Sequence, residues 1–171
     1  LGYCFASLMV LYLKPKPIFM LSVILLLAYW VILLLFGDTA DPYNMMTNAG
    51  TKLDLWLLGQ DHLYHGEGVP FDPEGVLSTL PAIVNVTFGY LAGKWIQQKG
   101  KEYEGLAKLL LAGALLVALA LGWDRFFPIN KKLWTSSFVL LTVGIDCIIL
   151  AALIYVTDFL QNRNPIAIGW A

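Results

Sequence analysis

Apolar residues in this chain gather into long runs, at about 1–13, 18–36, 76–96, 106–122 and 133–156, with polar breaks between them. A helix crosses roughly 30 Å of hydrocarbon with about 20 residues rising 1.5 Å each. The last four runs come close to that length. The first is too short to span and reads as the remaining part of a helix. None shows the period-two alternation that a closed membrane barrel requires. The pattern therefore predicts an all-α fold: a polytopic transmembrane helix bundle with about four full spans and a partial N-terminal one. Pro15 and Pro17 fall where one run ends and the next opens, which is where a helix tolerates them. Pro81 falls in the early turns of the third span, and Lys94 is placed to extend toward the interface at its end.

The long break at 37–75 is rich in turn residues, including Gly37, Asp38, Asp41, Pro42, Asn44 and Gly50. It holds an apolar island at 53–58 that suits a short helix on the membrane surface. A loop of this length between spans is usually functional or disordered. Its apolar and aromatic content argues for order. No internal repeat and no low-complexity segment is evident.

Composition sharpens the same picture. The chain is 58% hydrophobic and 13% charged, with a mean hydropathy of +0.69. Soluble domains carry roughly 25% charged residues, so a water-soluble fold is excluded by shortage of polar surface. A net charge of −1 gives no basic excess, and nucleic acid is not an expected partner. Six Trp and eight Tyr fit anchoring at the membrane interfaces. Cys4 and Cys147 lie inside apolar runs, which does not indicate an exposed structural disulfide. The first run lacks the charged start and cleavage site of a signal peptide. Both ends look cut, so the expectation is one membrane domain over 1–171 that forms part of a longer protein.

Basic residues suggest an orientation. With loops alternating between faces, one face holds Lys14, Lys16, Lys94, Lys99, Lys101, Lys108 and Arg163, and the other holds Lys52, Arg125, Lys131 and Lys132. Seven against four favours the first face as cytoplasmic. The segments 37–75 and 123–134 then face outward.

That outward side concentrates the polar chemistry: Asp54, Asp61, His62, His65, Glu67, Asp72, Glu74, Asp124, Arg125, Asn130, Lys131 and Lys132. His62 and His65 have a spacing that can serve a metal on a helix. Zinc needs three or four converging ligands, however, and the flanking glycines argue for an ordinary wet loop, so no metal site is assigned. Asp72 and Glu74 flank Pro73 just before a span. They suit either a capped helix start or a carboxylate pair that holds a polar substrate. Asp146 lies about halfway along the fifth run, where an ionised group is costly and faces the bundle interior or water. It is either functional or hydrogen-bonded to a neighbouring helix. Asn85 in the third span is an interhelical amide of the kind that often serves packing. No Walker loop, dinucleotide fingerprint, nucleophile elbow or HExxH motif occurs.

Three stretches occur in order: Leu57-Leu58-Gly59-Gln60-Asp61-His62-Leu63-Tyr64, Phe71-Asp72-Pro73-Glu74-Gly75, and Pro128-Ile129-Asn130-Lys131-Lys132-Leu133-Trp134. Together they resemble the heparan-α-glucosaminide N-acetyltransferase family and its bacterial relatives. The resemblance covers about 54–134, and the flanking runs agree by hydropathy alone. It implies a membrane enzyme, in a bacterium at the inner membrane, that passes acetyl from cytosolic acetyl-CoA to an amino sugar or glycan on the outer side. It further implies that Asp61, His62, Asp72, Glu74, Asn130 and Lys131 help line the acceptor site. The family's catalytic histidine is expected upstream, in helices of the same protein that precede this chain. His62 belongs to the HLY motif and is a different residue, so no catalytic residue is assigned here. Lipid is the expected surrounding, and homo-oligomerisation stays open. Two other classes remain: a transporter coupled through Asp146, and a membrane scaffold without catalysis.

Overall fold

The computed structural model describes residues 1–66, 68–100 and 102–160. Glu67 and the basic residues Lys101 and Arg163 lie outside the described residues. Six α-helices form, and no strand occurs among the described residues: α1 (Gly2–Tyr12), α2 (Pro15–Phe36), α3 (Ala49–Leu58), α4 (Thr79–Lys99), α5 (Tyr103–Trp123) and α6 (Ser136–Ile154). A single 3-10 turn at Gln60–His62 follows α3, and a π-helical stretch, Tyr155–Leu160, extends α6. Among the described residues, three helices are long and apolar enough to cross a membrane: α2, α5, and α6 with its extension. The chain is thus an all-helical membrane bundle.

The fourth expected span, α4, has 21 residues but carries Asn85, Lys94, Gln97, Gln98 and Lys99 and is less apolar than the others. Gln97, Gln98 and Lys99 are exposed in its last turn, while Asn85 lies half-buried where α1, α2, α5 and α6 pack against the helix. Val84 and Phe88 of α4 are buried with Leu26, Leu109, Val139 and Val143 from three neighbours. Hydroxyl groups supplement that packing. The Ser22 and Thr87 hydroxyls meet at 2.7 Å between α2 and α4, and Ser136 donates to the Leu26 carbonyl at 2.8 Å between α6 and α2. Where lipid removes the hydrophobic drive for helices to associate, such bonds and close backbone approach hold the bundle. The α5–α6 pair shows that approach. A Cβ on Gly144 would lie 2.8 Å from the Gly113 carbonyl oxygen, and one on Gly113 would lie 2.7 Å from that of Gly144. Only glycine lets both backbones come this near.

At one end of the bundle, aromatic rings gather. Trp30 meets Trp123 edge-on at 5.5 Å, and Phe127 lies 5.0 Å from Tyr43. The Trp30 indole donates to the Tyr43 hydroxyl, which donates in turn to the Phe126 carbonyl, each at 2.9 Å. These contacts tie the 37–48 segment to the end of α5. The island expected at 53–58 starts earlier, at Ala49, because the Asn48 side chain accepts from the Thr51 amide and caps the helix. Helix α3 buries Ala49, Thr51 and Asp54 and leaves Trp56, Leu57 and Leu58 exposed.

Candidate functional site

The first turn of the site is built on Asp72. Its Oδ1 accepts from the Glu74 amide at 2.9 Å, and its carbonyl accepts from the Gly75 amide at 3.2 Å. The Asp-Pro sequence supplies a side-chain acceptor and a fixed φ, which favours a tight turn. The capped-helix reading of Asp72 and Glu74 is not what forms. Helix α4 begins only at Thr79, after Ser78. The physical reason lies in Asp54, whose Oδ1 accepts from the Val76 amide at 2.9 Å and binds the turn to α3. Gly75 lies against the other carboxylate oxygen, so closely that a Cβ there would collide with it.

Asp54 is only 2% exposed. Burial pushes its carboxyl above the ordinary value near 3.8; the Val76 amide opposes that rise and the neighbouring Asp72 adds to it. The same small pocket is lined by Tyr29, Thr51, Asp72, Lys132 and Leu133. Segments separated by some sixty residues therefore converge on one carboxylate, which the sequence listed only as one polar residue among many. A sequence signal existed: Asp54 shares a helical face with Thr51 three residues before it.

The second turn is built on Asn130. Its Oδ1 accepts from the Lys132 amide at 2.8 Å and the Leu133 amide at 3.4 Å, while its own amide donates to the Thr135 hydroxyl at 3.0 Å. Asn130 thus closes the turn before α6, and Thr135 occupies the N-cap of the helix itself. The Tyr29 hydroxyl donates to the Leu133 carbonyl and fixes the turn to α2. Trp134 then adopts φ 52, the left-handed region. For a bulky residue this costs about 1–3 kcal/mol and persists only where surroundings impose it. Its indole donates to Asn85 Oδ1 at 2.9 Å, and Asn85 donates onward to the Thr142 hydroxyl at 3.3 Å. Asn85 therefore does serve as an interhelical bridge.

Between the two turns lies a cleft of about 240 Å³, lined by Leu1, Gly2, Pro73, Glu74, Ser78, Thr79, Ala82 and Trp134. Glu74 reaches this cleft and Asp72 the pocket beside it. Lys131 is exposed on the rim of the second turn. Asp61 and His62 are on the exposed 3-10 turn, where His62 Nδ1 pairs with the Leu58 carbonyl at 2.9 Å. Among the described residues neither is hydrogen-bonded to Asp72 or Glu74, and no group of three His, Cys, Asp or Glu stands close enough to hold a metal.

Asp146 lies apart from this site. It lines a groove of about 310 Å³ with Asn85, Gly89, Ala92 and Val143, between α4 and α6. At the other end of the bundle, Lys99 pairs with Glu102 at 3.1 Å, Lys108 pairs with Glu104, and Lys94 sits 5.8 Å over the Tyr90 ring. The larger groove that reaches Lys108, about 480 Å³, is otherwise lined by apolar side chains.

The fold and its two polar turns define the class: a membrane helix bundle with a small cleft of mixed lining between two polar turns. No family model matches the chain. It is related to the heparan-alpha-glucosaminide N-acetyltransferases. It is 33% identical to the human protein of that name over 138 residues, covering 71% of this chain, and 34% identical to the mouse protein over 119 residues, covering 60%. The chain spans about a fifth of the length of these curated relatives, 21% and 18%.

Proposed function

We propose that this chain builds the outer acceptor site of an integral membrane acyltransferase that moves acetyl from cytosolic acetyl-CoA to an amino sugar. The kinship with N-acetyltransferases supports the reaction class. The observation that carries the reading is the convergence of the Asp72 turn and the Lys132–Leu133 segment on buried Asp54, beside a cleft that Glu74 enters. Carboxylates placed so can accept hydrogen bonds from hydroxyl and ammonium groups and hold them without rearranging. Asp72 and Glu74 are the binding groups in this reading, Asn130 shapes the second turn, and Lys131 offers a cation at the rim. Asp61 and His62 belong to the approach to the site. The seven-to-four distribution of basic residues supports an outward-facing site at the bacterial inner membrane. The donor binds elsewhere in the full-length protein.

The test is acetyl transfer by the full-length protein in detergent, with donor and acceptor binding measured separately by calorimetry. Glu74→Gln should weaken acceptor binding about tenfold while leaving donor binding unchanged. A folded Glu74→Gln protein with wild-type acceptor binding and turnover would remove Glu74 from the site.

One observation favours a second reading. Asp146 lies ten residues into α6, about 15 Å along its axis, and makes no hydrogen bond or ion pair among the described residues. An intramembrane carboxylate of this kind suits a proton-coupled transporter. Proton-linked flux lost in Asp146→Asn, with no acetyl transfer by the wild type, would favour it.

A further inference from the structure

The left-handed backbone of Trp134 has no explanation in the turn alone. Glycine or asparagine would take φ 52 with less strain and close the same turn. What the strained residue adds is an indole in a fixed place. Its N–H is held by Asn85 of α4 at 2.9 Å, and its ring meets Phe138 of α6 at 5.3 Å with planes 74° apart. Asn85 is in turn held by Thr142. The ring is therefore set by two helices before any ligand arrives, and it forms part of the wall of the 240 Å³ cleft that also holds Glu74. Ser78, which turns its hydroxyl back to the Gly75 carbonyl at 2.7 Å, completes the polar floor with Thr79.

We propose that Trp134 is a specificity-determining residue, a preset aromatic wall that selects an amine-bearing ring in the cleft beside Glu74. An indole attracts a cation to its face and packs against the apolar face of a saturated ring. A carboxylate opposite it pairs with the ammonium and accepts from hydroxyls. The cleft is smaller than the roughly 300–1,000 Å³ of sites for drug-sized ligands, so it admits about one ring at a time. The inference rests on the acceptor-site reading given above and deepens it by naming the residue that reads the ring.

The experiment uses the full-length protein and two probes, glucosamine and glucose, with acetyl-CoA binding measured in parallel. Wild type should bind glucosamine and prefer it to glucose. Trp134→Ala and Trp134→Gly should weaken glucosamine binding about tenfold or more, with acetyl-CoA binding unchanged. Trp134→Phe should retain part of the affinity, since it keeps a ring and loses only the bond to Asn85. Glu74→Gln should remove the preference for glucosamine over glucose. Trp134→Gly relieves the left-handed strain, so its thermal unfolding keeps the test meaningful if the alanine variant fails to fold. A folded Trp134→Gly protein that binds glucosamine as wild type does would overturn the inference, as would a wild type that binds neither sugar. Trp134-dependent sugar binding without any donor binding would sink the acyltransferase reading and leave the cleft assignment standing. Acetyl transfer with unaltered acceptor binding in the variants would do the reverse.

Discussion

At the scale of single residues, Asp54 decides more than any other side chain described. It is buried on α3 and holds Val76, 22 residues later, so its partner could not be found by inspecting neighbours in sequence. Asp54→Leu should cost about 1–3 kcal/mol by leaving the Val76 amide unpaired, whereas Asp54→Asn retains an acceptor and should cost less. Thermal unfolding in detergent separates the two. The carboxyl's affinity for a proton is higher folded than unfolded, chiefly because of burial. Its contribution to stability is therefore fully present below about 3.8 and is lost as pH rises through the folded value. Tyr29, Asp72 and Lys132 line the same pocket. Asp54→Asn should flatten the part of the stability profile that lies above about pH 3.8, measured as melting temperature against pH. An unchanged slope in the variant would assign the dependence to another group. Gly75→Ala should destabilise by about 1–3 kcal/mol, since the new methyl group has nowhere to go but into the Asp54 carboxylate.

At the scale of elements, the long apolar runs fall on α2, α4, α5 and α6 among the described residues, because a helix that crosses lipid must be largely apolar. Starts were less legible. Helix α3 begins at Ala49 rather than at the apolar island, since Asn48, upstream of that island, caps it through the Thr51 amide. Helix α4 begins at Thr79 rather than 76, since a carboxylate from another helix holds the Val76 amide. Both displacements come from polar side chains acting on backbone, which hydropathy does not register. The resemblance motifs marked both stretches but not their form: the Asp72 stretch suits a capped helix start in the sequence and closes a tight turn in the structure, and Asn130 serves its own turn while Thr135 occupies the N-cap of the helix. The α5–α6 contact was also invisible in the pattern, for Gly113 and Gly144 are ordinary residues of apolar runs until the backbones meet. Gly144→Ala should separate the pair and lower stability by about 1–3 kcal/mol, visible as a drop in melting temperature with the acceptor affinity preserved.

At the scale of the whole molecule, the alternation of spans places the 37–78 segment and the 124–135 segment at the same end, where Tyr43 and Phe126 meet. Sidedness is tested by labelling in intact bacterial cells. After Cys4 and Cys147 are replaced by serine, a cysteine at Asp61 or Lys131 should react with an impermeant reagent from outside, and one at Glu102 should react only after permeabilisation. Reaction of Glu102→Cys from outside would invert the orientation. One feature of the fold bears on how such a molecule feels its surroundings. Helix α3 turns its carboxylate and hydroxyl inward and its Trp56, Leu57 and Leu58 outward, each at least 43% exposed. Those apolar residues stand on the side of α3 that the rest of the described residues leave uncovered. The same short helix grips the Asp72 turn through Asp54 and Val76. One short helix therefore joins an exposed apolar face to the Asp72 turn, and whatever packs against that face also bears on the turn.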